Sequence, residues 1–249
     1  MMTSNSSQFE KLIKNKTVAL VGPAAYMVGS SFGEEINKCD VVIRINRSYE
    51  SIDKYPQDVG DRTDVLYSCL IEKQANAGEL NLKKLKKYGI KFICAPPQSS
   101  YDGIAKETKF HVDVNAPKMK TISKEVPIRI VEHDFHTKLA KAVSCRPNTG
   151  YLAIYDLLQF DIKKLKLFGF SFYLDGFVDD VKKGVELEQN VTEKQFADMC
   201  FNSKRHIQKN MWSYAKKTLP NNMKVKLDKI LTKILSLNNL DREEFKKSI

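Results

Sequence analysis

Short apolar runs of strand length alternate with stretches of helical period along most of the chain. The runs lie at 17–22, 40–45, 64–68, 90–95, 128–132 and 165–170, and several are rich in Val and Ile. Residues 79–88 set Leu80, Leu82, Leu85 and Tyr88 near one face with lysines opposite, and Gly89 follows as a helix stop. Residues 150–160 are apolar nearly throughout, as a helix buried against a sheet would be. This alternation predicts an α/β fold built on a Rossmann-like, doubly wound, mostly parallel sheet. Residues 95–100, with two consecutive prolines, break the pattern at the strand edge where such sheets bind ligands. Residues 173–191 are acidic and glycine-punctuated and read as a loop able to close over a site. Thr192-Glu-Lys-Gln195 reads as a capping box whose helix runs towards Leu219. Past 220–222, a last helix places Leu227, Ile230, Leu231, Ile234 and Leu235 on one face, with Lys226, Lys229 and Lys233 on the other. The expected organisation is a polar N-terminal segment (1–14), one main domain (15–219) and a basic helical extension (220–249).

Composition narrows the class. The chain has 249 residues with 42% hydrophobic, enough for one sizeable α/β core and too apolar for global disorder. No run of about 18 apolar residues suggests a transmembrane helix, and the N-terminus lacks the apolar core of a signal peptide. Five cysteines (Cys39, Cys69, Cys94, Cys145, Cys200) are scattered without a CxxC pair, which points to a reducing, cytoplasmic setting. The net charge is +11, and residues 204–249 carry 12 basic and 4 acidic side chains. A basic tail of this kind suits an anionic partner, either nucleic acid or a membrane surface, or is a solvated lysine-rich surface.

Two strand–turn–helix blocks carry the candidate chemistry. The first runs from the strand at 17–22 through Gly22-Pro-Ala-Ala-Tyr-Met-Val-Gly-Ser-Ser-Phe-Gly33 to a strand ending Arg44-Ile-Asn46. A glycine-bearing turn of this type aims backbone N–H groups at one spot, where a phosphate could sit. The spacing is neither GxGxxG nor a P-loop. By strand alternation Arg44 and Asn46 share a face at the strand's C-terminal end, where a phosphate or ribose could pair with them. The second block is Arg146-Pro-Asn-Thr-Gly-Tyr151, a polar turn opening an apolar helix, followed by Leu165-Lys-Leu-Phe-Gly-Phe170. Thr149 and Gly150 open a helix N-terminus, a favourable place for phosphate.

Together with Asp58-Val-Gly-Asp-Arg-Thr63, the first block resembles the long sialyl motif of glycosyltransferase family 29, the sialyltransferases. Cys145-Arg-Pro-Asn-Thr-Gly150 with Leu167-Phe-Gly-Phe-Ser171 resembles the short sialyl motif. The resemblance implies a GT-A-like variant of the Rossmann-like sheet. It also implies inverting, metal-independent transfer of sialic acid or a Kdo-like sugar from a CMP-sugar to a glycan or other hydroxyl acceptor, with no further cofactor. Asn46, Asn148, Thr149 and Gly150 would contact the nucleotide, Phe170 and Ser171 would line the same pocket, and Gly22, Pro23, Ala24 and Arg44 would complete the donor site. Two departures stand out. The family's usual Asn after the first glycine is Pro23 here. Val18 stands where the cysteine partner of Cys145 would be, so the family's bridge between the two motifs cannot form.

A general base must take the acceptor proton, and histidine titrates in the useful range. The family places it in a His-x4-Glu motif, and His206 is the one histidine after Gly150, which makes it the candidate catalytic residue. Position 211 is Met rather than Glu. Glu132-His-Asp-Phe-His136 could hold a metal pair but shows no third ligand cluster and reads as an ordinary loop. Two alternatives remain open at this point: a glycosyltransferase of hydroxymethylated nucleic-acid bases, of viral or phage type, and a non-catalytic nucleotide-binding or membrane-surface module. The chain is expected to be cytoplasmic, with the basic amphipathic last helix able to make it membrane-peripheral.

Overall fold

The computed structural model describes residues 4–70, 79–97, 116–178 and 205–248. Its sheet is built from β1 (Thr17–Val21), β2 (Val41–Ile45), β3 (Val65–Tyr67), β4 (Phe92–Ala95), β5 (Ile128–Ile130), β6 (Lys164–Phe168) and β7 (Val225–Leu227). The strand order is β5-β4-β3-β2-β1-β6-β7, and every neighbouring pair is parallel. Each of the six expected runs holds one of these strands. β2 and β3 are buried at every position, as strands covered on both faces must be, and this is why their sequences read as unbroken apolar runs.

Helices flank the sheet: α1 (Ser4–Ile13), α2 (Gly33–Asn37), α3 (Pro56–Val59), α4 (Leu82–Lys87), α5 (Pro117–Glu125), α6 (His133–Val143), α7 (Thr149–Leu157), α8 (Arg205–Thr218), α9 (Lys229–Ser236) and α10 (Arg242–Ser248). The expected polar N-terminal segment contains α1, whose Phe9 and Ile13 are fully buried. The Phe9 ring packs against Tyr67, Phe92 and Phe160. The segment expected as a helical extension opens with β7, which pairs with β6. Three residues at a sheet edge, the middle one exposed, are too few to show a period. Its helix α9 buries Leu231, Ile234 and Leu235 in the main core, so the apolar face that would enter a membrane is already covered by protein. Glu132-His-Asp-Phe-His136, expected as a loop, instead opens α6, with His136 buried.

One buried network sets the position of α7. Arg129 of β5 holds Asp156 with both terminal nitrogens, at 2.6 and 2.9 Å, and Tyr67 of β3 donates to the same carboxylate at 2.6 Å. The guanidinium also stacks 5.0 Å from the ring centres of Phe9 and Phe160. A buried pair satisfied in this way adds little net stability, but removing one partner costs about 3–5 kcal/mol because the other charge is left stranded. α7 is thereby pinned to two strands, and its start is held over the sheet's C-terminal edge. No helix among the described residues is long and apolar enough to cross a membrane. The 192–195 capping box, residues 98–100 and 179–191 of the two expected loops, His111 and Cys200 lie outside the described residues.

Candidate functional site

A cavity of about 430 Å³ opens along the C-terminal ends of the strands. β2–β5 extend from one side of β1 in sequence order and β6 lies on the other, so the chain changes direction between β1 and β6, the position where open α/β sheets bind ligands. At that point Gly22 and Gly169 meet backbone to backbone. A Cβ on Gly22 would stand 2.3 Å from the Gly169 carbonyl oxygen, and one on Gly169 would stand 2.4 Å from that of Gly22. Gly169 also has φ +76°, a conformation that favours glycine. Gly22 therefore serves the site through this close approach and does not line the cavity.

The first turn is not the phosphate cradle expected of it. Gly22 N–H donates to the Phe168 carbonyl (2.8 Å), Ala24 N–H to Gly169 (3.1 Å), Ala25 N–H to Gly176 (3.3 Å) and Tyr26 N–H to Asp175 (2.7 Å). Pro23 has no N–H, and its carbonyl accepts from Val178 at 2.9 Å. Every backbone donor from 22 to 26 is thus absent or committed to the 168–178 segment. Pro23 and Ala24 do line the cavity, but what they offer it is apolar surface. Tyr26 donates to Asp228 at 2.7 Å and accepts from Phe170 N–H at 3.0 Å, while Gly169 N–H also reaches Asp228. Burial first, then the Asp228 charge, raises Tyr26 well above the ordinary tyrosine range, and burial raises Asp228 itself. Tyr26 stays a neutral donor, and the 169–170 wall is fixed.

The second turn differs. Asn148 caps α7, its side-chain oxygen accepting from Tyr151 N–H at 2.8 Å. The N–H groups of Thr149 and Gly150 have no hydrogen-bond partner among the described residues. Asn148, Thr149 and Gly150 all line the cavity, as do Phe170 and Ser171. Gly150 fits because a Cβ there would already lie 3.1 Å from the Phe170 ring. Arg146, half-buried, is the one formally charged side chain among the described lining residues, which include no carboxylate. Two N–H groups without a partner among the described residues, the helix dipole and one cation suit this end of the cavity to an anion.

Asn46 lines the cavity with its side-chain oxygen held by Cys69 N–H at 2.9 Å. Arg44 does not reach the cavity. It is 0% exposed, and its guanidinium donates to the carbonyls of Val59 (2.6 Å) and Arg62 (3.2 Å) and to the Thr63 hydroxyl (3.0 Å). Arg44 and Asn46 part company because β2 ends at Ile45 and Asn46 turns to φ +49°, which breaks the alternation.

The far wall belongs to the first turns of α8. Ile207, Gln208 and Met211 line the cavity. At about 100° per residue, they place His206 roughly 150° away from their common face. His206 is exposed and is not among the lining residues, so the structure does not bring it to the site. Met211 is fully buried where the family's glutamate was sought. Cys145 is a free, buried thiol, pushed up to about 11 by burial, and its sulfur lies 3.8 Å from the Ile207 carbonyl; Val18 is buried in β1. His136 is buried in α6, and burial, then the charges of Arg146 and His133, lowers it to about 4. Sequence reasoning left Gln208, Ile207 and Arg146 out of the site. Of these, only Arg146 carried a signal, since it stands in the quoted turn.

Residues 3–175 match the family model of glycosyltransferase family 29 (sialyltransferase). Among solved structures, a mammalian sialyltransferase in complex with Gal-beta-1-3GalNAc-ortho-nitrophenol is 17% identical, with 88% of this chain and 71% of that chain covered at a TM-score of 0.47. A second crystal structure of a mammalian sialyltransferase is 16% identical, covering 86% of this chain and 69% of that chain at a TM-score of 0.46. No curated protein matches.

Proposed function

The chain belongs to glycosyltransferase family 29, the sialyltransferases, and from that premise we propose that it transfers sialic acid or a Kdo-like sugar from a CMP-sugar to a hydroxyl acceptor. The observation that carries the reading is the unpaired start of α7. The N–H groups of Thr149 and Gly150 lack partners among the described residues and lie in a cavity whose described charged lining is Arg146 alone. A single phosphate, bridging nucleotide and sugar, matches that capacity. It would accept from both N–H groups, gain from the helix dipole and pair with the guanidinium.

Transfer is read as inverting and independent of a metal. The acceptor oxygen bonds to the anomeric carbon as that carbon's bond to the phosphate oxygen breaks, and CMP leaves with that electron pair. With no histidine or carboxylate among the described lining residues, the acceptor proton passes to the departing phosphate or to water. Charge growing on the departing phosphate is met by groups already fixed in place, so little reorganisation is needed as it develops. The aromatic side chains of Phe170, Phe172, Tyr173 and Phe177 offer stacking surface for a base. Neither alternative, base modification or a non-catalytic module, is favoured by the family. An anionic partner for the basic C-terminus remains a separate proposal, testable by the salt dependence of binding to anionic vesicles or duplex DNA.

The test is incubation with CMP-sialic acid, CMP-Kdo, a UDP-sugar and a GDP-sugar, each with a hydroxyl-bearing glycan, followed by mass spectrometry. Release of CMP with the matching glycoside is expected. Consumption of another nucleotide-sugar with CMP-sugars untouched would overturn the donor assignment.

A further inference from the structure

We propose that Gln208 is a specificity-determining residue that accepts a hydrogen bond from a hydroxyl on the sugar side of the donor; this rests on the glycosyl-transfer reading. Gln208 is 2% exposed, and its Oε1 has no hydrogen-bond partner among the described residues. It nevertheless lines the cavity, together with Ile207 and Met211 on the same face of α8. A buried acceptor left unpaired costs about 1–3 kcal/mol, and native proteins keep few of them without a use. A ligand that supplies the missing donor relieves that cost.

The chemistry of the ligand group follows from the atom. A phosphate or carboxylate oxygen cannot donate to Oε1, so the anion held at α7 does not satisfy that atom, whatever the amide NH2 meets. A hydroxyl or an N–H can. The position favours the sugar over the base. The first turn of α8 abuts the Cys145 side of the 146–150 turn, with Cys145 Sγ 3.8 Å from the Ile207 carbonyl. Gly150 faces the other way, towards Phe170 and Ile45. A phosphate at the turn therefore has an aromatic flank on the sheet side and an amide on the α8 side. The flat base suits the first and a polyhydroxylated ring the second.

The variant is Gln208→Met, which keeps length and volume and removes the acceptor. Affinities for CMP and for an intact CMP-sugar are measured by calorimetry, and the ligand-free protein is melted. CMP-sugar affinity is expected to fall about tenfold or more, CMP affinity to change less than about twofold, and the melting temperature to hold or rise. Equal loss for both ligands would place Gln208 on the nucleotide and overturn the assignment to sugar. A lower melting temperature without ligand would make the amide a structural group and overturn it as well. If the wild type binds neither CMP nor CMP-sugar, it is the transfer reading that fails, and the ligand-free melting of Gln208→Met still decides whether the amide is held in reserve for a ligand.

Discussion

Replacing Arg44 separates a fold contact from a ligand contact, because strand alternation assigns this side chain to the donor and the structure assigns it to the loop at 59–63. Arg44→Met keeps the length and removes every donor. The Val59 carbonyl, bonded at 2.6 Å, the Arg62 carbonyl at 3.2 Å and the Thr63 hydroxyl at 3.0 Å then lose their partner. Each buried acceptor left unpaired costs about 1–3 kcal/mol. Part of this is offset because the variant no longer buries a guanidinium. A net loss of about 3 kcal/mol is the working figure, a large share of the roughly 5–15 kcal/mol that holds a domain together. At about 2–4 °C per kcal/mol for a chain of this size, the melting temperature should fall by about 6–12 °C. CMP affinity, measured by calorimetry well below the melting range, should change by less than about threefold. An unchanged melting temperature together with a tenfold loss of CMP affinity would refute the assignment and return Arg44 to the donor site.

Gly22→Ala places a Cβ 2.3 Å from the Gly169 carbonyl oxygen, so the β1 and β6 ends must separate. CMP affinity should drop about tenfold or more with a lower melting temperature, and a variant that retains both would show that the close approach is dispensable. His136, neutral in the fold with its pKa lowered to about 4, binds protons more readily once unfolded. Its contribution is complete above about pH 6.5 and is lost as pH falls towards 4, reaching about 2 kcal/mol of lost stability at pH 5. Urea midpoints of the wild type should therefore fall between pH 7.5 and 5 more steeply than those of His136→Phe, and parallel slopes would contradict this. His206→Ala should leave transfer within about twofold of wild type, since the side chain faces away from the cavity; a hundredfold loss would mean that the first turn of α8 is rotated during turnover.

The sheet was legible because β1 to β4 are covered on both faces, and burial leaves an unbroken apolar signature that local reading detects. β7 and α1 were not. β7 has three residues at an edge, and the buried apolar positions of α1 are two, Phe9 and Ile13, in a polar stretch whose value depends on Tyr67, Phe92 and Phe160 far along the chain. Within the site, the 146–150 turn was readable because an N-cap and the helix it opens are neighbours in sequence. The Gly22 turn misled because its N–H groups are taken up by residues about 150 positions away, and no local rule reports that. Arg44 misled for a narrower reason, the left-handed turn at Asn46. Gln208 gave no sign, since an unpaired amide becomes visible only when its surroundings are known.

The proposed function rests on N–H groups at the start of α7, without partners among the described residues, holding the phosphate of a CMP-sugar. Thr149 is the first residue of α7, where proline is well tolerated, and Asn148 at φ −71° and ψ 165° already has the extended conformation that a following proline requires. Thr149→Pro therefore removes one N–H and keeps the helix, while Thr149→Ala removes the hydroxyl and keeps the N–H. The decisive measurement is the CMP dissociation constant of the two variants side by side. The proline variant is expected to bind at least about tenfold more weakly than the alanine variant, the loss expected of one charge-assisted hydrogen bond. Equal affinities in two folded proteins would contradict it.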